Sequence, residues 1–433
     1  MTRFRVQIGL IHSAIAITLV PINSTLNRVM IKELALSAAL VGILASLPYL
    51  LSPIQVAIGS FSDRHPIMGY RRTPYIFIGW LLCVGGLIVS PHIAYMLVEN
   101  RGLGILLGIL AFGAWGMGYN FATVSYFSLA TEISGEKNRS RTIAVMFFMM
   151  IVSIIFTSIA LGNMLEVYSQ EAVISAFIKV GMAALLMGGL GLLGVEPRHS
   201  ELTGDSEAYT WTEMYRAVSS NKQASLFILY LIVLLTAIFS QDILLEPYGA
   251  EAFGLSVKAT TRITSIWGVM FLLSLSIGGA LEARVSKLTQ ARISARAGIA
   301  AFFTIILGGL LQSTPVFYTG VVLLGLATGL STVSNLSLML DMTMVGSVGL
   351  FMGVWGMATA LARMIGNLLA GVVRDFVAQV ASNAVLGYSV VFGIEILMLI
   401  SSLMILSRVD VGLFQEQAGR QLPVLERAAM SND

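Results

Sequence analysis

Charge is what this sequence has least of. Lys, Arg, Asp and Glu make up 11% of its 433 residues, less than half of the roughly 25% usual in soluble domains. A soluble chain of this length needs far more charge to cover its surface, so a water-soluble globule is excluded. Cysteine is nearly missing. The single Cys83 rules out an intramolecular disulfide and a thiolate metal site, and it reads as a small buried apolar side chain. Histidine is scarce as well: His12, His65, His92 and His199 lie in separate elements, with no two at metal-ligand spacing. There is no Gly-rich phosphate loop and no arguable Ser-His-acid set, so no catalytic residue and no enzyme is expected. A net charge of +3 is too small to suggest nucleic acid. Apolar residues are what abounds, at 56%, and many of them must face something other than water. A lipid bilayer is the surface they require.

A membrane-crossing helix needs about 20 mainly apolar residues. Runs of that kind predict helices near 7–28, 38–59, 74–94, 103–131, 142–165 and 173–195, then six more near 225–245, 260–281, 295–313, 316–339, 349–373 and 386–407. The first run carries His12, Pro21 and Asn23 and no small-residue cleavage pattern, so it reads as a retained span and not as a signal peptide. Twelve spans place both termini on one side. Of the 26 basic residues, eighteen fall in the termini and even-numbered loops, among them Arg64, Arg71, Arg72, Arg284 and Lys287, against six on the other side. The positive-inside rule therefore puts the termini in the cytoplasm.

The polar stretch 196–224 divides the chain into a half at 1–195 and a half at 225–407, with a tail at 408–433. The halves repeat one pattern. Thr123-Val124-Ser125-x-x-Ser128-Leu129-x-x-Glu132 closes the fourth span, and Thr332-Val333-Ser334-x-x-Ser337-Leu338-x-x-Asp341 closes the tenth. Two parallel six-helix halves resemble the major facilitator superfamily, an all-α membrane fold. Gly59, Asp63, Arg64, Gly69, Arg71 and Arg72 are similar to that superfamily's signature between spans two and three. Their carboxylate and guanidinium groups can pair across the halves and with helix termini, holding one face shut. Simple positive-inside anchoring is the other reading.

Four segments narrow the resemblance: Thr25–Leu34 after span one, Gly69–Ile76 at the start of span three, Gln241-Asp242-Ile243-Leu244-Leu245-Glu246-Pro247-Tyr248-Gly249 at the end of span seven, and Trp355–Asp375 along span eleven. Together they resemble the PucC/LhaA family, the bacteriochlorophyll delivery family, over nearly all of residues 6–408. Lys32, Ala250 and Ala370 depart from its pattern. The resemblance implies assembly of light-harvesting complexes in a photosynthetic or cytoplasmic membrane, with chlorophyll or bacteriochlorophyll as cargo and antenna or photosystem subunits as partners. Two other functions stay open: a proton-coupled transporter of a small amphipathic solute, and an assembly partner that transports nothing.

Polar residues at membrane depth are the candidates for a binding site. Span four offers Tyr119, Asn120, Thr123 and Tyr126, span ten Ser331 and Asn335, and span one Asn23; such faces can bind a ligand or bond to neighbouring helices. The glycines of span four read as sites of close helix packing. His12, the only histidine in a helix interior, can ligate a chlorophyll magnesium or make a hydrogen bond near the membrane surface. Gln241, Asp242 and Glu246 carry the family motif; the two acids share a face until Pro247 ends the helix, and a solvated helix end competes with a coupling role. Arg363 and Glu395 lie ~16 and ~12 Å from the outer ends of their spans, which predicts an ion pair between them or a hydrated cavity facing each.

Overall fold

A computed structural model describes residues 2–54, 58, 61–62, 65–198, 218–281, 284–343 and 348–416. Gly59, Asp63 and Arg64, most of the expected linker and the end of the tail lie outside them. The described chain is helical almost throughout. Eleven helices are long and apolar enough to cross a membrane, and the shorter apolar helix Ala38–Leu50 is a twelfth element among them. The chain is a multi-pass integral membrane protein.

Helix α1 (Thr2–Val20) runs on as π-helical turns over Pro21–Leu26 and Val29–Glu33. Pro21 has no N–H to give back to its own helix, and the ladder widens from there on. α2 is Ala38–Leu50 and α3 is Thr73–Glu99. α3 runs past its predicted end at 94, so His92 lies well inside it, though exposed. α4 (Arg101–Gly135) and α5 (Arg141–Met164) would be one rod but for Gly135, whose φ of 64° breaks it; a left-handed φ costs glycine least. α6 is Gln170–Leu192.

α7 (Lys222–Ser240) does not stop where expected. Ser240 bonds back to the Thr236 carbonyl at 2.7 Å, and such back-bonding bends helices. A single 3₁₀ turn, Gln241–Ile243, follows, and the chain re-enters helix as α8 (Leu245–Phe253). Pro247 lies in the first turn of α8, where a missing N–H costs nothing. It helps to start a helix and does not end one. α9 is Val257–Leu281, α10 Lys287–Leu310, α11 Thr314–Asp341, α12 Val348–Ala381 and α13 Ala384–Leu406.

α1, α3, α4 and α6 pack on one another, as do α7 with α12 and α13, and α10 with α11 and α13. The principal contacts between the two halves are α2 on α12 and α5 on α9. Close packing of α4 on α3 and α2 uses the span-four glycines. A Cβ on Gly118 would lie 2.5 Å from the Gly79 carbonyl, and one on Gly116 would lie 2.6 Å from Pro48.

Candidate functional site

The bundle has two ends. The far end holds Glu33, Glu166 and Leu255, and the near end holds Arg72, Glu132, Glu196, Lys287 and Asp341.

At the far end the two halves are bonded to each other. Ser24, in the π-helical part of the first span, donates to Glu246 Oε1, which also accepts from Thr264 Oγ1 at 2.8 Å. Glu246 is buried, and its Oε2 has no partner. Thr25 and Thr261 meet at 3.1 Å, and Arg28, paired with Glu33, donates to the Leu255 carbonyl at 3.2 Å. Arg262 reaches Asn163 at 2.8 Å and Lys258 reaches Glu166 at 2.7 Å; Lys258 holds that exposed carboxyl below the ordinary carboxylate range. α2 and α12 touch backbone to backbone. A Cβ on Gly42 would lie 2.5 Å from the Asn367 carbonyl, and one on Gly371 would lie 2.4 Å from that of Ala38. Asp375 caps α2 through the Ala39 N–H at 2.8 Å.

Every ion pair between described residues at the near end lies inside one half. Arg72, 2% exposed, forks onto Glu132 through Nη2 at 2.7 Å and Nε at 3.1 Å. The Glu196 carboxylate takes the Arg71, Arg72 and Thr73 N–H groups at 2.8, 3.1 and 2.6 Å, satisfying donors that the start of α3 leaves orphaned. Gly69, at φ 82°, turns the loop that leads in. Of the pairing expected across the halves and with helix termini, the described contacts give the Arg72 guanidinium a carboxylate near the end of α4 in its own half, and give Arg71 a carboxylate at its backbone N–H. In the second half Lys287 binds Asp341 at 2.7 Å. Glu132 and Asp341, the acids that end the two copies of the sequence repeat, thus each take a base at the start of the preceding transmembrane helix.

Between the two ends sits a charged cluster drawn from both halves. Arg363, near the middle of α12, pairs through Nη1 with Asp242 Oδ2 at 2.7 Å, and Gln241 Nε2 donates to Asp242 Oδ1 at 2.7 Å. The guanidinium carbon is 3.5 Å from the centre of the Phe239 ring and 5.6 Å from that of Tyr49 on α2. Tyr119 of α4 is near enough to both Tyr49 and Arg363 to interact with them electrostatically. The pair is not sealed: Arg363 and Asp242 keep 29% and 30% of their side-chain surface exposed. A cation and its counter-ion held among aromatic rings can grip a polar group of a largely apolar guest.

The expected Arg363–Glu395 pair does not form. Glu395 is fully buried on α13, and among the described residues neither of its carboxylate oxygens has a hydrogen-bond partner. Depth along a helix was compatible, but the 3₁₀ turn after α7 brings Asp242 to Arg363 first. Asp242 and Glu246 do not share a face either, because that turn separates them. Asp242 faces the pair and Glu246 the far-end latch, and neither is a solvated helix end.

The remaining candidates divide. Tyr230 donates to Asn335 Oδ1 at 2.8 Å, and Asn335 Nδ2 donates to Ser331 Oγ at 3.0 Å, so the span-ten pair fastens α11 to α7. Asn120 donates to the Pro48 carbonyl at 3.0 Å and joins α4 to α2. Asn23 is half-buried, and its carbonyl accepts from Asn27. His12 is buried within the bundle. Tyr126, Phe127 and Phe147 surround it at 5.1–5.4 Å between ring centres, and its Nδ1 has no partner. Thr123 and Tyr126 lie on the same wall of α4. One imidazole can give an axial ligand to a metal already held by other donors, and no group of three or more metal-ligating side chains occurs among the described residues. Sequence reasoning passed over Tyr49, Phe239, Thr264 and Glu196. A lone Tyr or Phe in an apolar run gives no signal, and Glu196 stands in a polar stretch that reads as linker.

The family model described as PUCC protein matches residues 25–413. Protein PucC of Cereibacter sphaeroides is 30% identical over 405 residues, covering 90% of this chain and 88% of that one. The bacteriochlorophyll synthase 44.5 kDa chain of Rhodobacter capsulatus is 27% identical, covering 92% and 93%. Among solved structures, the nucleoside transporter NupG superposes with a TM-score of 0.72 at 12% identity, covering 93% of this chain and 98% of that one. A bacterial homologue of the human lysosomal transporter Spinster, inward-facing and occupied, gives 0.71 at 16% identity, covering 94% and 97%. These likenesses show the fold, which is the major facilitator fold.

Proposed function

This chain belongs to the PucC family, and from that premise we propose that it carries (bacterio)chlorophyll for the assembly of light-harvesting or photosystem complexes, without itself catalysing a reaction. The observation that carries this reading is the match along nearly the whole chain to relatives named for PucC and for bacteriochlorophyll synthesis. The geometry supports a carrier: an accessible charged cluster lies between the halves, with a bonded far end beyond it. On this reading the basic near end and both termini face the cytoplasm, and the halves rock around the Arg363–Asp242 cluster. Light-harvesting or photosystem subunits receive the pigment. His12, set among aromatic rings, is the described side chain best suited to a pigment's magnesium.

The test is the absorption spectrum of the chain purified in mild detergent from a pigment-making host, read beside antenna and photosystem levels in a deletion strain. Bound tetrapyrrole and depleted complexes are expected. A colourless protein and normal complexes would contradict the reading. Proton-coupled transport of a small amphipathic solute is the second reading, and Glu395 favours it: a buried carboxyl with no partner in hydrocarbon is the kind of group that marks proton paths.

A further inference from the structure

Most of the unspent bonding capacity of the Arg363–Asp242 cluster lies on its cation. Asp242 has both oxygens engaged, Oδ2 by Arg363 and Oδ1 by Gln241. A guanidinium carries five N–H donors in a fixed planar fork; Arg363 gives one through Nη1 to Asp242, and the Tyr49 hydroxyl is within reach of the fork. Nε and Nη2 are not among the buried polar atoms that lack a partner, and the side chain is 29% exposed. The open side of the cluster therefore presents chiefly donors, which suit a guest that brings acceptors. Phe239 against the guanidinium, with Tyr49 near it, restrains the plane of the fork, the arrangement that suits a bidentate carboxylate. A cationic guest would meet the guanidinium's like charge beside a carboxylate already bonded at both oxygens.

We propose that Arg363 is the anchor for an acidic group of the cargo, a carboxylate on a large apolar body. Asp242 is the resident counter-ion that keeps the charged fork aligned in the empty carrier. When the cargo's carboxylate takes the fork, Asp242 keeps its bond from Gln241. The proposal rests on the pigment reading for the tetrapyrrole body and amends its cargo: (bacterio)chlorophyll carries its side-chain acid as an ester, so the guest this anchor prefers is the free-acid form of the same macrocycle. A long-chain fatty acid offers the same head on a different body.

The test is equilibrium binding to the full-length chain in detergent, with four probes: a magnesium tetrapyrrole free acid, its methyl ester, a sixteen-carbon fatty acid and its methyl ester. The wild type should hold the tetrapyrrole acid at least about tenfold tighter than the ester, the discrimination of one charge-assisted contact. Asp242→Asn, which frees the fork, should raise the preference for acid over ester. The double variant Asp242→Asn with Arg363→Gln leaves no charge of the pair behind; it should stay monodisperse and bind acid and ester alike. Equal binding of acid and ester, or a preference that survives the double variant, would overturn the acid anchor and leave the pigment reading intact. If only the fatty acid binds, and only with Arg363 present, the anchor stands and the pigment reading falls. Binding of none of the four probes would overturn both.

Discussion

The two ends of the bundle are built on opposite plans. At the far end Ser24, Thr25, Arg28, Asn163 and Glu166 of one half bond to Glu246, Thr261, Leu255, Arg262 and Lys258 of the other. At the near end Arg72 with Glu132 and Lys287 with Asp341 bond within their own halves. The difference separates two tasks. The near-end pairs join helices within one half, while the far-end bonds join one half to the other. A transporter that rocks needs both, and it needs them apart, because a contact that must break in each cycle cannot also hold a half together.

The comparison breaks most readily at Arg72. Arg72→Ala leaves Glu132 and the surrounding polar groups without their cation, and removing one partner of a buried pair costs about 3–5 kcal/mol. The thermal midpoint in detergent should fall steeply while cross-linking between the halves at the far end stays as in wild type. Gly42→Val attacks the other plan. Its side chain would enter the Asn367 carbonyl, and overpacking of this kind costs about 1–3 kcal/mol. Here the far-end cross-link between cysteines placed on α2 and α12 should fade with little loss of thermal stability. Glu246→Ala takes the shared acceptor from Ser24 and Thr264, at about 1–3 kcal/mol, and should loosen the far end as Gly42→Val does. Glu246→Gln, which keeps an acceptor oxygen, should do so less. Lys287→Ala is the mildest: a part-exposed pair contributes about 0–1 kcal/mol, so both readouts should barely move. An Arg72 variant that opened the far end, or a Glu246 variant that melted one half, would erase the distinction between the ends.

How much of this the sequence disclosed depends on the kind of fact. The spans were legible because a bilayer demands long apolar runs, and the repeat at Thr123–Glu132 and Thr332–Asp341 pointed to acids that do occupy matching places. The site was legible in part. Arg363, Gln241, Asp242 and Glu246 stood out because charge and amide groups are costly at membrane depth, but their partners did not. Position along a helix follows from counting residues, whereas the direction a side chain faces depends on every bend before it. The 3₁₀ turn at Gln241–Ile243 sends Asp242 to Arg363 and Glu246 to Ser24, and leaves Glu395 without a partner. Pro247 misled for a related reason, since proline stops a helix from inside it but is at ease in a first turn. Ser331 and Asn335 look like a ligand-binding face, and only the position of Tyr230 shows that they fasten α11 to α7.

Rocking of the halves about the Arg363–Asp242 cluster is most directly tested by distances between spin labels in a Cys83→Ala background. One sample carries labels at Val167 and Leu311, both exposed at the far end, and another at His65 and Leu413, both exposed at the near end. Adding a magnesium tetrapyrrole to each should lengthen the far-end distance and shorten the near-end one. Distances that stay fixed, or that change in the same sense at both ends, would contradict a carrier that works by rocking its halves.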